Sequence, residues 1–112
     1  MHTFLRPAMY KSVHKILSFK KKGVKETYTI AGPICESSDI LAKNIKLPKQ
    51  KSGNYLAICD TGAYGFVMAS NYNSNVLPSE VLIYKNKFQV IRKKENILKF
   101  IKKDIIPKWL KN

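Results

Sequence analysis

Arginine is scarce in this sequence: of 21 basic residues only Arg6 and Arg92 carry a guanidinium, and only seven acidic residues oppose them. The net charge of +14 is therefore almost entirely lysine. Readers of nucleic-acid sequence lean on the planar, bidentate guanidinium, whereas lysine is a hydrated point charge that also serves as plain surface. With one short run, Lys20 to Lys22, the charge is spread out and speaks against a nucleic-acid partner. Cysteine is equally scarce. Cys35 and Cys59 show no C-x-x-C spacing, and His2 and His14 complete no ligand set, so no metal site is expected. No apolar run is long enough for a membrane span, and the opening residues do not read as a secretory leader. A cytoplasmic protein with reduced thiols and no membrane partner is the expectation. Absent too are an internal repeat, a glycine-rich phosphate loop of recognised form and a paired histidine base. At 112 residues the chain holds one domain with one core, and a (β/α)-barrel enzyme standing alone is excluded.

What is there reads mainly as strand. Arg6-Pro7 opens a short helical turn, since proline suits a first turn, and Met9, Tyr10, Val13, Ile16 and Leu17 lead from it into a strand. Val24 to Ala31 alternates, with Val24, Glu26, Tyr28 and Ile30 on one side. Gly32-Pro33 ends that ladder and Ile34 to Asp39 is a polar excursion. A mixed stretch follows, then a lysine-rich loop from Lys46 onward and a short apolar strand, Tyr55 to Asp60, that places Cys59 in the core. Gly62 and Gly65 flank Tyr64 in a turn, and Phe66 to Ala69 suits a turn of helix before the Asn-rich loop Ser70 to Asn75. Glu80 to Tyr84 and Phe88 to Arg92 form a hairpin with Lys85 to Lys87 at its tip. From Glu95 to Trp109 the period becomes helical, with Ile97, Leu98, Ile101 and Ile105 on one face and Pro107 as a stop. The expected architecture is a mainly β single domain over 1–112: an antiparallel β-barrel or sandwich with a short N-terminal helical turn and a C-terminal amphipathic helix.

Three constellations could carry chemistry. Arg6 and Tyr10 stand four apart, so a helical turn places guanidinium and phenol on one face, where together they could hold a carboxylate. A surface arginine beside a half-buried tyrosine is the plainer alternative. Cys35-Glu36 follows Gly-Pro at the mouth of a loop, and a carboxylate beside a thiol favours its neutral form, which suits a proton donor better than a nucleophile. A small buried hydrophobe followed by a solvated glutamate remains open. Tyr64, between two glycines, could offer its hydroxyl and nearby backbone N–H groups to an anion, or be a packed aromatic in a tight turn.

Taken in order, these segments resemble a known family. Leu5-Arg6-Pro7-Ala8-Met9-Tyr10 with His14, Gly32-Pro33-Ile34-Cys35-Glu36-Ser37-Ser38-Asp39, and Asp60 to Asn73 with its Thr61-Gly62-Ala63-Tyr64-Gly65 core resemble the C-terminal part of diaminopimelate decarboxylases, as does Pro78-Ser79-Glu80-Val81-Leu82. The resemblance implies a pyridoxal 5'-phosphate enzyme of the fold-type III group, a carboxy-lyase of lysine biosynthesis that converts meso-2,6-diaminopimelate to L-lysine and carbon dioxide. It implies a homodimer of two-domain subunits, each an N-terminal barrel bearing the Schiff-base lysine and a C-terminal β-domain, with active sites at the subunit boundary. It assigns Arg6 and Tyr10 to a substrate carboxylate, Cys35 to proton donation from the neighbouring subunit, Glu36 to the distal ammonium, and Tyr64 to the cofactor phosphate and the substrate. Relatives acting on ornithine carry aspartate after the cysteine and lack Arg-Pro-x-x-Tyr, so Glu36 and Arg6 to Tyr10 point to a substrate with a second carboxylate. The barrel has no counterpart here, so the chain is expected to be a fragment, a split-gene half or a truncation, inactive alone and completed by a barrel from the same or another polypeptide. Two alternatives of other classes are a small basic β-barrel binding nucleic acid or polyanions, and a non-functional remnant.

Overall fold

Pro7 takes the first turn of a five-residue helix, α1 (Arg6–Tyr10), where its missing N–H would be unpaired in any residue. Lys11 ends the helix in the left-handed region at φ 53°. The computed structural model describes residues 2–110 and divides into two units, Met1–Ala69 and Ser70–Asn112. In the first unit α1 is followed by β1 (Ile16–Ser18), β2 (Lys25–Ala31), β3 (Ile40–Pro48), β4 (Leu56–Ile58) and a second helix, α2 (Gly62–Gly65).

Along β2 the side chains of Glu26, Tyr28 and Ile30 are half-buried and those between them exposed, as the alternation requires. Its partner β3 is nine residues long and takes in Lys46 to Pro48, where a loop was expected. The reason is a bulge. Tyr28 pairs with Ile45 and Ile30 with Ala42, so Lys43 and Asn44 together face Thr29, and Asn44 sits at φ 59°. A second shift follows at once, Ala31 pairing with Ile40, and the two irregularities break the phase along β3, which hides the strand from a period-two reading. β1 pairs antiparallel with β4, Ile16 opposite Ile58. Both α1 and β1 pack on β3, and Phe4, Ile16 and Leu47 are the most deeply buried apolar side chains.

The second unit holds a 3-10 turn (Tyr72–Ser74), the hairpin β5 (Glu80–Tyr84) and β6 (Lys87–Arg92), helix α3 (Ile97–Ile101) and a 3-10 turn (Lys108–Leu110). Lys87 belongs to the strand, opposite Tyr84, so the hairpin tip is only Lys85-Asn86. The expected long amphipathic helix is a short one. Asn96 caps α3 by accepting the N–H groups of Leu98 and Lys99. It stops well before Pro107, since Ile105, on the expected stripe, is 88% exposed and lacks the tertiary packing that would sustain a longer helix.

No closed barrel forms among the described residues. The strands pair in twos, β1 with β4, β2 with β3 and β5 with β6. Alternation fixes which face of a strand is buried and leaves open which edges pair, so the barrel expectation had no edge information behind it. Among the described residues no helix is long and apolar enough to cross a membrane.

Glu95 organises the second unit. Its carboxylate accepts from the Asn71 amide at 2.6 Å and the Leu77 N–H at 3.2 Å, lies 3.6 Å from Lys103, and its own N–H donates to the Leu77 carbonyl. The Leu77 N–H first, then the Asn71 amide, hold its carboxyl below the ordinary 4.5. A folded-state pKa below the unfolded one gives stability that is present above the unfolded value and lost as pH falls through the folded value. Acidification below the ordinary carboxylate range should therefore loosen the Asn71–Leu77 segment, seen as faster amide exchange at Leu77 relative to its intrinsic rate at about pH 3. In Glu95→Gln that pH dependence should disappear.

Candidate functional site

Arg6 begins α1 and Tyr10 lies one turn further on, which brings the Arg6 Cζ to 5.9 Å from the Tyr10 ring centroid. Tyr64 arrives from the other end of the unit. The β1–β4 ladder extends past Ile16 and Ile58 through a bond from the Cys59 N–H to the Lys15 carbonyl at 2.8 Å. Asp60, at φ 57°, then turns the chain into α2, a conformation that aspartate tolerates better than most residues. The Tyr64 ring ends 4.9 Å from the Arg6 Cζ, so the guanidinium lies over that ring with Tyr10 also near. A cation held in this way gains about 0.5–1 kcal/mol at a partly exposed site.

These three residues, with Val67 and Met68, line an open hollow of about 560 Å³. The Arg6 Nε is buried without a hydrogen-bond partner, and among the described residues no carboxylate pairs with the guanidinium. An unpaired, partly desolvated guanidinium between two phenols suits a planar anion, which it can grip with parallel N–H bonds. The Tyr64 and Tyr10 hydroxyls, which have no hydrogen-bond partner among the described residues, can add O–H donors.

Cys35 and Glu36 lie elsewhere on the same unit and do not line this hollow. They ride on a loop closed by Asp39, which is 2% exposed. The Gly32 N–H donates to the Asp39 carbonyl at 2.9 Å, and the Ile34 N–H to the Asp39 carboxylate at 2.7 Å. Inside the ring, the Glu36 N–H bonds the Ile34 carbonyl and the Asp39 N–H the Glu36 carbonyl. Cys35 is thereby exposed, whereas Glu36 is half-buried and accepts from the Ser38 hydroxyl. Gly32 is obligatory: a Cβ there would fall 2.4 Å and 2.5 Å from the two Asp39 carboxylate oxygens. Gly32→Ala should distort the loop at a cost of about 1–3 kcal/mol, read as a lower thermal midpoint of the chain.

Two local expectations are corrected. Gly62 and Gly65 lie within α2 and do not flank a turn, and a four-residue helix has no terminus built for an anion, so the hydroxyl of Tyr64 is what this segment offers. Cys59 is half-buried, as are all three residues of β4 before it, so this strand does not reach a buried core. Sequence reasoning missed Asp39, whose polarity and setting marked it as loop surface, and gave Val67 and Met68 no place at the hollow. Among the described residues no cluster of histidine, cysteine, aspartate and glutamate is arranged to hold a metal.

A unit of two small antiparallel sheets, presenting an unpaired arginine between tyrosines and a displayed Cys-Glu loop, now meets known proteins. Residues 1–62 match the family described as pyridoxal-dependent decarboxylase, C-terminal sheet domain, and the chain belongs to that family. Within it, the chain is similar to diaminopimelate decarboxylases. It is 45% identical to the one of Archaeoglobus fulgidus over 97% of this chain and 26% of that relative, and 44% identical to that of Methanocaldococcus jannaschii over 98% and 25%. The solved M. jannaschii enzyme in complex with L-lysine superposes with a TM-score of 0.92 over 98% of this chain and 25% of that one. The Helicobacter pylori enzyme with L-lysine, 37% identical, gives 0.83 over 91% and 25%. The chain thus spans about a quarter of the length of the curated relatives it matches.

Proposed function

We propose that this chain is the C-terminal part of a pyridoxal-phosphate-dependent diaminopimelate decarboxylase, acting on meso-2,6-diaminopimelate to give L-lysine and carbon dioxide. The observation that carries this reading is the Arg6 guanidinium, partly buried, unpaired and set between Tyr10 and Tyr64. In this reading Arg6 and Tyr10 grip the carboxylate that is retained. A substrate without that group would leave the cation unpaired in the closed site, which disfavours a monocarboxylate such as ornithine.

When bound, pyridoxal phosphate supplies an electron sink for the bond pair left behind by carbon dioxide. The residues of this chain fit a supporting part in holding it: the Tyr64 hydroxyl makes no hydrogen bond among the described residues and can donate to a phosphate oxygen or to the substrate. The Schiff-base lysine belongs to the barrel, from the same or a separate polypeptide. Cys35 gives its thiol proton to the substrate Cα, and Glu36 receives the distal ammonium. In this reading, as the resemblance implies, one subunit's Cys35 loop serves the Arg6 hollow of its neighbour in a homodimer.

The test is reconstitution. Mixed with a separately produced barrel half, the chain should restore cofactor-dependent release of carbon dioxide from meso-diaminopimelate. Assembly of the two halves without turnover would remove the proposal.

A further inference from the structure

We propose that His14 is a positioning residue that holds Tyr64 against Arg6. The inference deepens the reading above, in which those two side chains face substrate and cofactor, but it stands on geometry of its own. The His14 Nδ1–H donates to the Cys59 carbonyl at 3.0 Å, which leaves Nε2 to accept the Ser12 hydroxyl proton at 3.0 Å. The same ring meets Phe4 edge to face, with centroids 4.7 Å apart.

These contacts sit at the roots of both halves of the hollow. Phe4 is 7% exposed and lies two residues before Arg6, so its own burial anchors the start of α1, with the His14 ring at its edge. Cys59 lies just before the Asp60 turn into α2. Its N–H is held by the Lys15 carbonyl and its carbonyl by His14, so both of its backbone polar groups are tied to adjacent residues of one segment. Helix α2 packs on no neighbouring element as broadly as α1 does on β3. The place of Tyr64 is therefore set by the direction in which the chain leaves Cys59. His14 sets that departure point through its bond to the Cys59 carbonyl, and the 4.9 Å approach of Arg6 to Tyr64 follows from it.

Isotope-edited NMR of the full chain tests this. The wild type should show cross-peaks between the Arg6 side chain and the Tyr64 ring, and between Tyr28 and Ile45 across β2 and β3. His14→Phe keeps a ring against Phe4 but removes the donor. It should lose the Arg6–Tyr64 cross-peaks and keep those of Tyr28–Ile45. His14→Asn, whose amide can donate where Nδ1 does, should retain both sets. Arg6–Tyr64 cross-peaks that survive in His14→Phe would overturn the proposal, as would a His14→Asn chain that keeps the Tyr28–Ile45 pairing without them. If His14→Phe fails to fold, His14→Asn decides alone. Wild-type chain that shows the cross-peaks and assembles with a barrel half, yet releases no carbon dioxide, would defeat the functional reading and leave the role of His14 standing.

Discussion

Cys35→Ala, assayed in enzyme completed by a barrel half, is expected to slow release of L-lysine from meso-diaminopimelate by about 10²–10⁴-fold, the usual worth of a positioned general acid. Cofactor absorbance should be unchanged, because in this reading the cofactor is held by the barrel lysine and Tyr64 and not by Cys35. The fold should survive as well. The loop is closed through Gly32, Ile34 and Asp39 by backbone groups and one carboxylate, which the substitution leaves in place. Turnover equal to wild type would remove the proton-donor role from this thiol.

Arg6→Lys should fail in a different way. Lysine keeps the charge but loses the planar fork and the stacking over Tyr64. Losing a charge-assisted hydrogen bond costs about 1.5–3 kcal/mol, so kcat/KM should fall by about 10- to 150-fold. Grip on a carboxylate that does not react is the same in ground and transition states, and the loss should therefore fall on KM more than on kcat. A lysine variant with wild-type KM for meso-diaminopimelate would show that Arg6 does not hold the retained carboxylate.

Much of this was legible in the residues, and the exceptions have identifiable causes. The alternation in β2, the β5–β6 pairing and the Arg-Pro start of α1 follow from local periodicity and proline geometry. Strand β3 escaped because two register shifts break its phase, and α3 was overextended because periodicity does not register that the far end of the stripe, at Ile105, finds no packing. Closure into a barrel depends on edges, about which the pattern is silent. At the site, Arg6 and Tyr10 were readable as a pair because four residues make one helical turn. Their meeting with Tyr64 was not, since it depends on β1 pairing with β4 and on the left-handed turn at Asp60. Gly32-Pro33 announced the Cys35 loop, whereas the burial of Asp39 against the bare Gly32 Cα exists only in three dimensions.

The β5–β6 hairpin leaves Leu82, Ile83, Tyr84, Phe88 and Ile91 more than half exposed, so successive apolar side chains meet water on both faces of one thin ribbon. A ribbon of that kind, whose outer edges pair with no other strand among the described residues, is adhesive and invites stacking with its own copies. Lys85 and Lys87 at its bend, with Lys93 and Lys94 just past its end, put like charge wherever two such ribbons would meet. Repulsion among these lysines opposes such stacking, an effect that added salt weakens.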